Sequence, residues 1–128
     1  MRLQIADLRI EPRICSRIAV DRDTEIHYEV YGADIAPIRL LLVNGVQQSC
    51  RMWILTVYAL LRAQPKRVQI CVFDGRGVGN SVLGPALENQ RFSTKDLAAD
   101  ALLLLNHLGW SKDVWLLGCM SFCFKSIP

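Results

Sequence analysis

Three short apolar segments, each followed by a glycine-containing turn, constrain the fold of this 128-residue chain more than any other feature. They are the strand-like runs Ile38–Val43, Val68–Phe73 and Asp113–Leu117. Such runs are typical of strands that are buried on both faces of a sheet. Helix-like segments separate them, and strands that alternate with helices favour a parallel sheet with right-handed crossovers. We therefore predict an α/β fold.

Two helices are predicted between these strands. Apolar residues recur at helical spacing from Cys50 to Gln64, where Pro65 ends the pattern. In the second helix Ser93 and Asp96 have the spacing of a capping box, and Gly109 marks the end. The predicted core face of the second helix consists of Leu97, Ala101, Leu104, Leu105 and Leu108.

A β-hairpin is predicted before the first buried strand. Residues Thr24–Tyr31 alternate between polar and apolar, which is the pattern of a half-buried strand. A shorter strand near Arg17–Val20 can pair with it through a turn at Asp21–Asp23. The hairpin adds antiparallel strands to the predicted sheet.

Charge and hydropathy exclude two classes of partner. Fifteen Lys and Arg residues against twelve Asp and Glu give a net charge of +3, and the charges are scattered along the chain, which does not favour nucleic-acid binding. The apolar runs Leu40–Val43 and Ala101–Leu105 are far shorter than the roughly 18 to 20 residues that cross a bilayer. The first residues are interrupted by charges and do not resemble a signal peptide. We expect a cytoplasmic protein that does not associate with membranes.

Five cysteines are present, an odd number without any C-x-x-C spacing. We interpret them as reduced and mostly buried thiols, and we predict neither a metal site nor a cofactor. The five are Cys15, Cys50, Cys71, Cys119 and Cys123.

The glycine-rich segment Asp74–Ser81 follows the second buried strand. Its glycine spacing matches neither a dinucleotide-binding fingerprint nor a Walker loop, so nucleotide binding is not favoured. The alternative is a tight turn in which glycines adopt positive φ, while Asp74 and Arg76 hold neighbouring loops together.

Three segments together resemble the α/β-hydrolase fold family, and in particular its aminoacrylate-hydrolase-like members. They are Val72-Phe-Asp-Gly-Arg-Gly-Val-Gly-Asn-Ser81, Asn106-His-Leu-Gly-Trp110 and Val114-Trp-Leu-Leu-Gly118. The resemblance extends from about Thr24 to Gly118. It implies a mostly parallel sheet with crossover helices and an enzyme that hydrolyses a small ester, amide or related carbonyl compound. Such an enzyme uses a nucleophile–His–acid triad and no cofactor.

The resemblance also implies an oxyanion hole after the first buried strand. The backbone N–H of Val46 would donate to the developing oxyanion, and Gly45 would let the backbone approach the substrate. Asn44 either lines the pocket or caps the turn at the strand end, and both roles remain open. His27 and His107 are interpreted as structural residues rather than catalytic bases.

The chain departs from the family pattern at the nucleophile elbow. The motif Gly-x-Ser-x-Gly, aligned on Gly118, places Met120 at the nucleophile position and Phe122 at the second glycine. Ser121 is the remaining catalytic candidate, and it requires a shift by one residue. Cys119 as the nucleophile fits less well, and we interpret it as a free thiol.

We therefore expect residues 1–118 to be the N-terminal part of an α/β-hydrolase domain and residues 119–128 to be a divergent tail. Only seven residues follow Ser121, so the expectation is a truncated chain without the acid and the histidine of the triad. Whether the chain is an enzyme stays open, since it is a hydrolase by resemblance but has an incomplete triad. An alternative is a non-catalytic interaction module that pairs with itself or with another protein through the exposed strand 113–117. Marginal stability is expected in either case.

Overall fold

A computed structural model of the chain describes residues 10–45, 47–87 and 92–119. Within these residues one mixed sheet has six strands, in the order β1-β2-β4-β3-β6, with β5 paired to β2. The strands are β1 (Ile14–Asp21), β2 (Thr24–Tyr31), β3 (Ile38–Val43), β4 (Val68–Phe73), β5 (Val82–Leu83) and β6 (Val114–Gly118). The predicted α/β class is confirmed.

The centre of the sheet is parallel and one side is antiparallel. Strand β3 lies between β4 and β6 and runs parallel to both, with Leu42 beside Val72 and Val43 beside Gly118. Strand β2 is antiparallel to both β4 and β1. The predicted hairpin is confirmed, and β1 is longer than the sequence pattern indicates because it begins at Ile14.

Two helices cover opposite faces of the sheet. Helix α1 (Ile54–Ala63), preceded by a 3-10 turn at Cys50–Trp53, packs on β4 through Val57. Helix α2 (Thr94–His107) packs on the other face through Leu104, which is fully buried. The Ser93 hydroxyl and the Asp96 carboxylate form the predicted capping box. Of the core face predicted for α2, Leu104 is fully buried and Ala101, Leu105 and Leu108 are partly buried against the same cluster. No helix in the described ranges is long and apolar enough to cross a bilayer.

Strand β6 forms one edge of the sheet among the described residues. Its side chains are largely accessible, with Trp115 68%, Leu116 57% and Leu117 42% exposed. The strand starts one residue later than predicted because Asp113 has a φ of 55°, in the left-handed region. An apolar strand is thus left uncovered along an edge where further pairing can occur.

Strand β5 replaces part of a predicted loop. Val82 and Leu83 pair with Glu25 and Thr24 at the start of β2. Most of the expected tail, residues 120–128, lies outside the described residues, so the division of the chain at residue 118 stays a prediction.

Candidate functional site

The carboxyl ends of the three parallel strands lie at the same edge of the sheet, which is where open α/β sheets bind ligands. Asn44 and Gly45 directly follow β3, Asp74 directly follows β4, and β6 ends at Gly118. The backbone N–H of Cys119 donates to the carbonyl oxygen of Val43 at 3.0 Å, so the ends of β6 and β3 stay adjacent. The segments that the sequence singles out for chemistry are therefore neighbours.

The amide side chain of Asn44 is committed to local hydrogen bonds. Its Nδ2 donates to the carbonyl oxygens of Phe73 (2.7 Å) and Gln48 (3.0 Å). Its Oδ1 accepts from the indole Nε1 of Trp53 at 2.7 Å. These bonds join the ends of β3 and β4 to the start of α1. The geometry agrees with the turn-capping role, and the role of Asn44 in a pocket stays a prediction.

Gly45 is held close to the side chain of Gln48. Its N–H donates to Gln48 Oε1 at 3.2 Å, and a Cβ at Gly45 would lie only 2.5 Å from that oxygen. Since the Gln48 side chain is flexible, this contact alone does not require glycine after Asn44. Val46, Met120 and Ser121 lie outside the described residues, so the oxyanion donor and the nucleophile position stay predictions.

Asp74 is buried at the end of β4 and organises the turn that follows it. Its Oδ1 accepts from the backbone N–H of Cys50 at 2.6 Å, and its Oδ2 accepts from that of Asn80 at 2.9 Å. Ser81 Oγ donates to the Asp74 carbonyl oxygen at 2.7 Å and accepts from the His27 N–H at 2.9 Å. These contacts fit the predicted loop-holding role of Asp74.

Arg76 connects the same turn to α2 and to the hairpin. Its guanidinium donates to both carboxylate oxygens of Asp100, at 2.6 and 2.8 Å, and to Asp21 at 2.9 Å. The guanidinium also lies over the ring of Phe92, 5.0 Å from its centroid. Hydrogen bonding to Asp100 raises the pKa of Arg76 above its usual value, against the opposing effect of burial. The sequence indicates Arg76 but not its partners.

The two histidines lie on opposite faces of the sheet. His107 is exposed at the end of α2, and its Nε2 lies 3.1 Å from the hydroxyl of Tyr28, a residue of the core beneath that helix. His27 is buried on β2, and its Nε2 lies 3.4 Å from Glu29 Oε1 without forming a hydrogen bond to any described residue. The structural role predicted for His107 fits its contact, whereas His27 has a ring nitrogen that its surroundings leave unused.

Cys50 lies beside His27 and Asp74, in an arrangement that superficially resembles a nucleophile–His–acid triad. A ring nitrogen of His27, Sγ of Cys50 and a carboxylate oxygen of Asp74 lie within 4.8 Å of one another, and all three residues are buried. Burial raises the pKa of the Cys50 thiol well above its usual value, and the negative charges of Asp74 and Glu29 raise it further. Since the thiolate is the reactive form, Cys50 is not an activated nucleophile. No local motif in the sequence links these residues.

Comparison with solved structures shows the same arrangement of strands and helices. A hydrolase from Pseudomonas aeruginosa superposes with a TM-score of 0.68 at 27% identity, over 81% of this chain and 36% of that protein. A proline iminopeptidase-related protein from Thermus thermophilus gives 0.63 at 25% identity, over 82% and 35%. The enol-lactonase from Burkholderia xenovorans gives 0.59 at 24% identity, over 74% and 34%.

No family profile and no curated protein matches the sequence. The chain spans about a third of the length of the solved proteins that it matches. Those proteins are α/β-hydrolase-fold enzymes, and the matches cover about three quarters or more of this chain. The chain therefore has part of the α/β-hydrolase fold.

Proposed function

We propose that this chain is the first part of an α/β-hydrolase whose whole enzyme hydrolyses a small ester, amide or related carbonyl compound. The chain by itself is catalytically inactive in this proposal. The observation that carries it is the superposition on a hydrolase over 81% of this chain but only 36% of the other. The four cysteines among the described residues are free, which is typical of a reducing compartment, so we propose a cytoplasmic location.

The proposed contribution of this part is the scaffold and one side of the oxyanion hole. The Val46 N–H is the proposed donor, because it directly follows the Asn44-Gly45 pair after β3, where families of this fold place such a donor. Hydrogen bonds from Asn44 to β4 and from Trp53 to Asn44 hold that strand end in place. A fixed strand end is what an oxyanion hole requires, since its donors must be positioned before the reaction.

The proposed inactivity rests on the two histidines of the sequence, neither of which follows the nucleophile position as the triad histidine does in this fold. The sequence has two histidines, of which His107 contacts Tyr28 and His27 is buried on β2. A serine hydroxyl is a poor nucleophile at neutral pH without an adjacent base. Ser121 is accordingly proposed to be unreactive, and Met120 at the expected nucleophile position has no nucleophilic oxygen or thiol.

Labelling with a fluorophosphonate probe tests this proposal. We expect no labelling of the purified 14.5 kDa chain. In an extract of its own cells, an antibody to residues 81–90 should capture a labelled species of roughly twice that mass, as expected for a domain of about 200 to 250 residues.

Two substitutions make the outcome decisive. Labelling of the purified chain that is lost in Ser121→Ala but kept in Ser111→Ala would contradict inactivity and assign the reaction to Ser121. Capture of a 14.5 kDa species alone would contradict the proposed larger enzyme.

A second candidate function is an interaction module, and the exposed edge at β6 favours it. Strand β6 has no charged residue between Val114 and Gly118, although charges normally protect edge strands from pairing. A second copy of the chain presents the same apolar edge, so two copies can pair symmetrically. We propose the second copy as the partner in this alternative.

Light scattering after size-exclusion chromatography tests the association. We expect a dimer at tens of micromolar, and we expect Trp115→Lys and Leu117→Lys each to shift the chain toward the monomer. Ile35→Lys is the matched control, because Ile35 is 86% exposed outside the sheet. A wild-type chain that remains monomeric at every concentration would rule out this candidate.

A further inference from the structure

Nitrogen, sulfur and oxygen donors from separate parts of the chain meet next to His27. A ring nitrogen of His27 on β2, Sγ of Cys50 before α1 and a carboxylate oxygen of Asp74 after β4 lie within 4.8 Å of one another. Glu29, two residues along β2 from His27, lies beside the same group. Its Oε2 is 3.8 Å from Cys50 Sγ, and its Oε1 is 3.4 Å from His27 Nε2.

His27 supplies an independent reason to expect a ligand in this cluster. Its side chain is 8% exposed, and its Nε2 is buried without a hydrogen-bond partner among the described residues. Buried polar atoms nearly always have a partner, because leaving one unpaired is costly. The 3.4 Å contact with Glu29 places Nε2 against the cluster rather than against apolar side chains.

We propose that His27, Glu29, Cys50 and Asp74 bind one zinc ion. Imidazole, thiolate and carboxylate are the donor types that zinc prefers in proteins. Tetrahedral zinc ligands at about 2.0–2.3 Å from the metal lie roughly 3.3–3.8 Å apart. The donors of His27, Cys50 and Asp74, which lie within 4.8 Å of one another, therefore need to approach by up to about 1.5 Å. Glu29 contacts this group through His27 and Cys50. The site joins β2, β4 and the start of α1, which makes it a structural crosslink in the centre of the fold.

The surroundings provide a route to this site and support for its ligands. His27 lines an open depression of about 510 Å³, together with Cys15, Arg17 and Asn80. Asp74 accepts hydrogen bonds from two backbone N–H groups, an outer contact that metal-binding carboxylates commonly have. A bound divalent cation displaces the proton of a coordinating thiol, so the protonated state of Cys50 in the free chain does not prevent binding.

Cys15 offers a competing arrangement that the experiment must separate. Its Sγ lies within 4.8 Å of donors on His27 and Glu29, but Cys15 is exposed. The set with Cys50 is preferred because His27, Cys50 and Asp74 are all buried and supply an imidazole, a thiol and a carboxylate from three separate segments. A water molecule bound to Nε2 is the remaining alternative.

Metal titration of the full 128-residue chain, prepared without a polyhistidine tag and freed of metal with a chelator, tests the site. We expect calorimetry to show one equivalent of Zn²⁺ bound. Titration with Co²⁺ should produce the absorption of a cobalt–thiolate bond. A chain that is unfolded without metal and folds on adding one equivalent of zinc would also support the site, because metal binding is then coupled to folding.

Single substitutions identify the ligands. His27→Gln and Cys50→Ser should each weaken zinc binding by at least about tenfold, because even residues that only support metal ligands contribute about 10–100-fold. Cys50→Ser should also remove the cobalt–thiolate absorption. His107→Gln and Cys15→Ser are the matched controls, and circular dichroism of each variant with zinc reports whether it folds.

Four results would overturn the proposal. They are the absence of saturable binding, a chain that stays unfolded with zinc, binding that His27→Gln and Cys50→Ser leave unchanged, and binding that depends on Cys15 but not on Cys50. Because none of these readouts measures hydrolysis, failure of the zinc site leaves the proposed hydrolase function standing.

Discussion

Replacing Arg76 with alanine is expected to lower the free energy of unfolding by about 3–5 kcal/mol, the cost of removing one partner of a buried ion pair. The side chains of Arg76 and Asp100 are 13% and 3% exposed, and two hydrogen bonds join them. Alanine would leave the Asp100 carboxylate buried without a counter-charge. Small domains are stable by only about 5–15 kcal/mol in total, so this loss is a large fraction.

Urea denaturation followed by circular dichroism measures the effect. Arg62→Ala is the control, because Arg62 bonds the Tyr58 hydroxyl on the exposed side of α1, where a substitution costs at most about 0.5 kcal/mol. Adding Asp100→Asn to Arg76→Ala should recover part of the loss, since it removes the buried charge. If Arg76→Ala and Arg62→Ala destabilised the chain equally, the Arg76–Asp100 ion pair would not anchor the turn at Asp74–Ser81 to α2.

Replacing Gly79 with alanine is expected to destabilise the chain by about 3 kcal/mol through combined backbone and hydrogen-bond effects. Gly79 has a φ of 55°, which alanine adopts only at a cost. A Cβ at this position would also overlap the carboxylate of Asp74. Moving that carboxylate breaks its hydrogen bonds to the N–H groups of Asn80 and Cys50.

Gly75→Ala is a matched control within the same turn. No atom lies within 4 Å of the position that its Cβ would occupy, and its φ is not in the left-handed region. We expect a change within about 0.5 kcal/mol for this variant, measured by the same urea denaturation. If Gly79→Ala and Gly75→Ala lost equal stability, the positive φ of Gly79 and its close approach to Asp74 would not be what requires glycine there.

Local signals in the sequence account for most of the secondary structure. The capping box of Ser93 and Asp96 predicts where α2 begins, because it depends on residues only three positions apart. The buried runs predict β3 and β4 with their observed bounds. Strand β5 could not be predicted, because two residues have no periodicity and Val82 becomes part of a strand only by pairing with Glu25.

The candidate site is predictable only in part, because its contacts join distant segments. Asp74 and Arg76 attract attention in the sequence because they lie in a glycine-rich turn after a buried strand. Their partners Cys50 and Asp100 are each 24 residues away, on opposite sides along the chain. No spacing rule connects such pairs, and only the order of strands in the sheet brings His27 close to Cys15 as well as to Cys50 and Asp74.

The position of β3 between β4 and β6 has a consequence for how the chain is made on the ribosome. The β3–β6 pairing joins residues about 75 positions apart, such as Arg39 and Val114, and distant pairings of this kind form late in folding. At about 5–20 residues per second, the free edge of β3 waits roughly 4–15 s for its partner to be synthesised. During that interval the nascent chain presents an unpaired apolar strand, a feature that chaperones recognise and that favours aggregation.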